Sequence, residues 1–167
     1  HITGYERQEN DAEHAWHMAM MIYLLKEYAN EGFDVAKAMM MALTHDIVEI
    51  DAGDTYAYDD SGLETQKERE DAAKERIFSM LPEDQAQELI ALFDAFEAFD
   101  TPESKFAHAI DNVQPLMLNN SNNGGDWRKH QVSAEKVYKR HNQTKLGSDK
   151  LFDFTVRILQ ENIAKGN

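Results

Sequence analysis

Apolar residues recur at three- and four-residue steps along nearly the whole chain, and no stretch sustains the alternation of β-branched residues that a strand needs. That pattern restricts the fold to helices packed on helices. "NDAEH" opens the first: Asn10 can cap, and Glu13 stands three residues on, where the partner of a capping box belongs. This helix should run to about Asn30, before Gly32. Asp34 caps a second, from about Val35 to Ile50, which Gly53 stops. Residues 51–62, "DAGDTYAYDDSG", read as an acidic and aromatic loop. "ETQKEREDAAKERIFSML" is a third helix ended by Pro82, and "PEDQAQELIALFDAFEAF" a fourth with proline in its first turn. "TPESKFAHAIDNVQPLMLNN" is a fifth, opened by a cap and Pro102. The sequence then predicts a flexible loop over 121–126, a sixth helix in "WRKHQVSAEKVYKRHN" and a seventh in "SDKLFDFTVRILQENIAK". The expected fold is an all-α, single-domain bundle of about six to seven helices over residues 1–167, with 1–10 irregular.

No apolar run approaches the roughly 20 residues that span a bilayer, so no membrane segment is expected. Thirty-one acidic against seventeen basic residues give a net charge of −14, which removes the basic footprint that a nucleic-acid polymer requires. A small anionic ligand stays compatible, because a bound divalent ion reverses the sign of the local field. The absence of cysteine excludes disulfides, thiolate metal sites and cysteine nucleophiles together, and fits a cytoplasmic address. No signal-peptide pattern is visible, and a chain opening on His1 is expected to be a piece of a longer one.

The second helix poses a chemical problem. After the apolar run "AKAMMMAL", the segment "THDIVEIDAGDT" carries His45, Asp46, Glu49, Asp51 and Asp54. Carboxylates on a helix apolar on nearly every face cost several kcal/mol each unless something positive pairs with them. On a regular α-helix His45 and Glu49 share a face and Asp46 lies about 100° round. A His–Asp pair offers one imidazole nitrogen and one carboxylate oxygen, a mixed donor set suited to divalent transition metals. Two further helices carry isolated polar residues: His14 in "AEHAWHMAMMIYLL" and Asp111 in "FAHAIDNVQPLML". Pro115 has no N–H for the Asp111 carbonyl, so the fifth helix should bend there. Singly, each residue has an ordinary explanation, since a histidine on an apolar helix is more often a hydrogen-bonded core residue than a ligand. Their conjunction on three apolar helices, 31 residues apart (14 to 45) and 65 apart (46 to 111), points to one shared cation.

Together "ENDAEHAWHMAMM", "ALTHDIVEIDAGDT" and "KFAHAIDNVQPLM" resemble the HD-domain superfamily of metal-dependent phosphohydrolases, whose ligand order is His, His-Asp, Asp on a helical core. The resemblance covers roughly residues 7 to 140, and within the superfamily the three motifs resemble the subgroup that includes the bacterial 5′-deoxynucleotidases and related small HD hydrolases. It implies that His14, His45, Asp46 and Asp111 bind one divalent ion, with Glu49 as the acid/base carboxylate and Asp54 and Thr55 in a loop facing the sugar. Arg7, in "RQENDAEH", matches a basic residue often found just before the first ligand helix. The subgroup's upstream Arg and aromatic pair, which helps bind phosphate and select deoxyribose, would precede His1. "THDIVE" lacks the additional histidines of the binuclear branch, which favours one ion, among Mn, Co, Zn, Fe, Ni or Mg. A homodimer is a further expectation from the resemblance.

Phosphomonoester hydrolysis needs both a nucleophile at neutral pH and charge neutralisation on the phosphoryl oxygens, and a divalent ion supplies both. Glu49 could take or orient a proton of the attacking water, and Asp54 could bond a ribose hydroxyl or protonate the leaving 5′ oxygen. Lys105, six residues before Asp111, could face an anionic substrate, with solvated lysine as the plain alternative. His17 and His108 could position a ligand or a phosphate. The expected activity is phosphomonoester hydrolysis of nucleoside 5′-monophosphates. The alternatives are phosphodiester or guanosine-alarmone hydrolysis, a metal- and nucleotide-binding protein without turnover, and a structural partner whose polar residues are hydrogen-bonded networks.

Overall fold

The computed structural model describes residues 2 and 7–166, with only the backbone for Asp60. Among these residues ten α-helices follow one another: α1 (Asp11–Leu25), α2 (Val35–Thr44), α3 (Glu49–Ala52), α4 (Asp60–Phe78), α5 (Glu83–Ala98), α6 (Pro102–Ser121), α7 (Gly125–Lys129), α8 (Ala134–His141), α9 (Thr144–Gly147) and α10 (Asp149–Lys165). Seven of them are eight residues or longer, and no strand occurs among the described residues. No helix among those residues is long and apolar enough to cross a membrane. Residues 7–10 precede α1 without regular structure; of the rest of the expected irregular segment, residues 1 and 3–6 lie outside the described residues.

Local chemistry starts the long helices where capping residues stand. Asn10 accepts from the Glu13 N–H at 3.0 Å while the Glu13 carboxylate accepts from the Asn10 N–H at 3.1 Å, closing a capping box. Asp34 caps α2 through the Lys37 N–H, and Thr101 caps α6 through that of Ser104. The apolar stripes these caps set in register meet in one core: Met18, Met21 and Ile22 of α1 pack with Met41 and Ala42 of α2, Phe96 of α5, Leu151 of α10, and Phe106, Ile110 and Val113 of α6. Helix α6 is apolar on most sides because helices surround it, and it runs unbroken through Pro115.

Several boundaries differ from the sequence expectation. α2 ends at Thr44, where the chain tightens into a 3₁₀ turn over His45–Val48 before the short α3 ends at Gly53, whose φ of 77° suits glycine. The loop expected over 51–62 shrinks to 53–59, because Asp59 accepts from the Ser61 N–H and starts α4 at Asp60. The loop expected over 121–126 shrinks to 122–124. The expected sixth helix divides into α7 and α8: Gln131 takes a φ of 52°, and the Ser133 hydroxyl caps α8 through the Lys136 N–H.

Gly147, at the end of α9, presses against α6. A Cβ there would lie 2.1 Å from the Lys105 carbonyl oxygen and 2.9 Å from the Phe106 Cα, both backbone atoms that cannot rotate away. Gly147→Ala is therefore expected to cost about 2 kcal/mol or more by overpacking, measured as a lower denaturation midpoint with an unchanged m-value.

Candidate active site

Three helices deliver the polar residues to one point. The His45 Nδ1–H donates to the Ala42 carbonyl at 2.9 Å, which fixes the ring and turns Nε2 toward the site. The 3₁₀ turn beginning at His45 rotates Asp46 about 120° from it rather than the 100° of an α-helix. The Asp46 carboxylate then touches both histidines, with Oδ1 at 2.9 Å from His45 Nε2 and Oδ2 at 3.8 Å from His14 Nε2. Asp111 rises from the middle of α6, its Oδ1 at 3.2 Å from His14 Nε2 and 3.9 Å from His45 Nε2. One donor atom each from His14, His45 and Asp111 lie within 4.8 Å of one another; Asp46 stands outside that group of three while contacting both of its histidines.

Charge is strongly coupled here. Burial alone would lower the pKa of His14, yet hydrogen bonds to Asp111 and Glu9 and the charges of Asp111 and Asp46 carry it up to about 11. His45 is raised too, its burial outweighed by Asp46 beside it. Asp111 is held below the usual carboxylate range, because His14, His45 and Arg140 outweigh the effect of its burial. Glu49 moves the other way: burial, then Asp46, Asp54 and Asp11, push it up to about 8. Partial burial, with Asp46 and Asp11 nearby, raises Asp54 as well.

The cluster forms one wall of a cavity of about 570 Å³. Glu49, Asp54, Thr55 and His108 line it as well. His108 stacks on Phe96, ring centroids 3.9 Å apart, and donates from Nε2 to the Phe96 carbonyl. Thr55 accepts from Arg69 Nη2 at 2.6 Å, and the same guanidinium bonds the carbonyls of Ala52 and Gly53, so α4 clasps the loop that carries Asp54. Three sequence candidates lie off the cavity. Arg7 makes a two-point ion pair with Glu13 at 2.8 and 2.6 Å on the exposed side of α1. Lys105 falls on the flank of α6 that meets Gly147. His17 is linked to the cluster through Gln114, whose amide donates to its Nδ1.

Gln114, Glu9 and Arg140 are the residues that sequence reasoning missed. Gln114 is fully buried; its carbonyl oxygen accepts from His14 Nδ1 at 3.1 Å and its amide donates to Glu9 at 2.7 Å, so it fixes the His14 ring with Nε2 inward. A glutamine three residues after Asp111 on an apolar helix was the available signal. Arg140 lines the cavity from α8, with Nη2 at 3.8 Å from Asp111 Oδ2.

This helical core with its His, His-Asp and Asp order defines the class: the HD-domain family model matches residues 1–151, and the chain belongs to the HD-domain family. Among particular proteins it is similar to 5′-deoxynucleotidase HDDC2 of Homo sapiens, 29% identical over 112 residues that make up 67% of this chain and 53% of that protein. It is also similar to 5′-deoxynucleotidase hdd1 of Schizosaccharomyces pombe, 28% identical over 117 residues, 68% of this chain and 58% of that protein. The chain spans about half the length of these relatives. A crystal structure of a predicted metal-dependent phosphohydrolase from Magnetospirillum magnetotacticum MS-1 matches it with a TM-score of 0.94 and 42% identity, covering 99% of this chain and 83% of that one.

Proposed function

We propose that the chain is a divalent-metal-dependent phosphohydrolase acting as a phosphomonoesterase on nucleoside 5′-monophosphates. The observation that carries this reading is the convergence of His14, His45 and Asp111 from three helices, with Asp46 against both histidines, on the wall of a cavity that also holds Glu49. The donor set fits a divalent cation: the same carboxylates that draw positive charge onto the two imidazoles would be satisfied by an ion among them. His14, His45, Asp46 and Asp111 would hold one ion, with Mn, Co, Zn, Fe, Ni and Mg as candidates, and two nitrogens with two carboxylates suit the transition metals best. A divalent ion held there supplies positive charge for a phosphoryl oxygen and a water activated for attack.

The remaining steps fall to the chain itself. Glu49 accepts the proton of the attacking water, which its raised pKa suits, and Asp54, also raised, hydrogen-bonds the sugar or returns a proton to the leaving 5′ oxygen. Thr55, clasped by Arg69, holds that loop at the sugar, and His108 shapes the floor beside Phe96. The names of the human and fission-yeast relatives support a nucleotide monophosphate as substrate. A homodimer is supported by an exposed apolar row along α1, Trp16, Met20, Tyr23 and Leu24.

The test is a panel of phosphorylated metabolites assayed with several divalent ions, with Asp46→Ala as the blank. Phosphate release from nucleoside 5′-monophosphates is the expected result, at rates above those for diesters and alarmones. No release from any nucleotide with Mn or Co would overturn the reading, and nucleotide binding without release would assign a regulatory protein instead.

A further inference from the structure

We propose that Arg140 binds the substrate's phosphate group, hydrogen-bonding its non-bridging oxygens beside the metal-ligand cluster; this rests on the phosphohydrolase reading above. The cavity poses an electrostatic problem for any phosphate ester. Seven carboxylates line it, against two permanently basic side chains among the described residues, Lys67 and Arg140. Even with one divalent ion held by His14, His45, Asp46 and Asp111, a dianionic phosphate still faces Glu9, Glu49, Asp54, Glu70 and Glu97, so a second cation at its far oxygens would offset that repulsion. Lys67 does not fill that role: its side chain is 87% exposed and its ammonium pairs with Asp71 one turn along the same helix at 3.1 Å.

Arg140 is placed differently. Val137 and His141, one helical turn apart, are buried and hold α8 against the neighbouring helices, Val137 packing with Leu116, Ile158 and Leu159. Arg140, between them in sequence, reaches the cavity from the last turn of α8. The two oxygens of Asp111 face different partners: Oδ1 belongs to the donor group at His14, and Oδ2 stands 3.8 Å from the Arg140 guanidinium. At that distance the pair makes no hydrogen bond. The guanidinium therefore keeps planar N–H donors for a two-point grip on an anion next to the cluster, a geometry that arginine offers and lysine lacks. Its charge is also felt by Asp54 and Tyr56 across the cavity, which places it between α6 and the 53–59 loop.

The rival explanation is that Arg140 merely supports Asp111. Arg140→Met, which keeps the aliphatic stem, and Arg140→Lys separate the two. Inorganic phosphate is titrated by calorimetry into the Mn-loaded chain, alongside KM and kcat for a nucleoside 5′-monophosphate, metal-to-chain ratio and thermal midpoint. Arg140→Met is expected to weaken phosphate binding and raise KM by about 10- to 100-fold, the range of lost charge-assisted hydrogen bonds, with metal content and midpoint at wild-type values. Arg140→Lys should recover part of the loss. Phosphate affinity within about twofold of wild type overturns the inference, as does a metal ratio that falls in step with phosphate affinity. Wild-type chain that binds phosphate yet hydrolyses no nucleotide would defeat the functional reading alone, because the calorimetric comparison still tests Arg140.

Discussion

Protein carrying Asp111→Asn is expected to retain less than about a tenth of the wild-type metal after dialysis and to lose phosphate release in proportion, because about 10–16 kcal/mol of structural-site binding shared among four ligands assigns about 3 kcal/mol, or more than about 10²-fold in affinity, to each. Asp111, like Asp46, faces both His14 and His45, in its case at 3.2 and 3.9 Å. The same substitution also reads out in stability. In chelated wild-type protein His14 has its pKa raised to about 11, so its contribution is fully present below the unfolded value of about 6.5 and is lost as pH rises through 11. Asp111 is depressed, so its contribution is present above the unfolded value of about 3.9 and is lost as pH falls through its folded pKa. Asparagine cannot hold a proton on His14, so the thermal midpoint of the chelated variant should depend less on pH between about 6.5 and 11 than that of chelated wild type. Elemental analysis and thermal scans at several pH values check both statements. Full metal content and activity in Asp111→Asn would reduce Asp111 to a partner of Arg140 and His14.

The parts of the fold legible in the sequence are those that local chemistry decides. Asn10, Asp34 and Thr101 can each satisfy a free helix-start N–H, and each does so where expected. Apolar spacing likewise identified α1, α2, α5 and α6 as helices, and their apolar residues meet in the core. Boundaries set by tertiary packing stayed hidden. Nothing in "MALTHDIVEI" marks the change from α to 3₁₀ winding at His45, since the same residues would continue a regular helix. The break at Gln131–Ser133 is the reverse case, with a capping serine hidden inside a run of acceptable helix spacing.

The site divides along the same line. His14, His45, Asp46 and Asp111 stand out in sequence because polar groups on apolar helices need a partner, and the structure brings their side chains together. Glu49 and Asp54 were visible as acidic residues following the His-Asp pair, and both line the cavity. Arg7 was attractive for its match to the family's basic residue before the first ligand helix and Lys105 for its charge near Asp111, and neither signal says which way a surface side chain turns. Arg140 carries no local signal: it lies 29 residues past Asp111 in a polar helix, and only the seating of α8 through Val137 and His141 brings it to the cavity.

Glu49→Gln tests the chemical step separately from the cation. The amide cannot accept a proton, so kcat is expected to fall by about 10²- to 10⁴-fold, the usual share of general acid–base catalysis, with the metal-to-chain ratio unchanged. The pH dependence carries the sharper signature. Glu49 acts only when ionised, so the rate should rise with pH through its pKa. Burial, then Asp46, Asp54 and Asp11, hold that pKa at about 8. A cation bound by Asp46, three residues earlier, stabilises the carboxylate, so in the metal-loaded enzyme the midpoint of the acidic limb should lie below pH 8. Asp54→Asn removes one of the charges that raise Glu49 and should move this limb further toward acid, even where the variant lowers the rate itself. An acidic limb that persists unchanged in Glu49→Gln would assign the proton transfer to another group, with Asp54, which also lines the cavity, the first candidate.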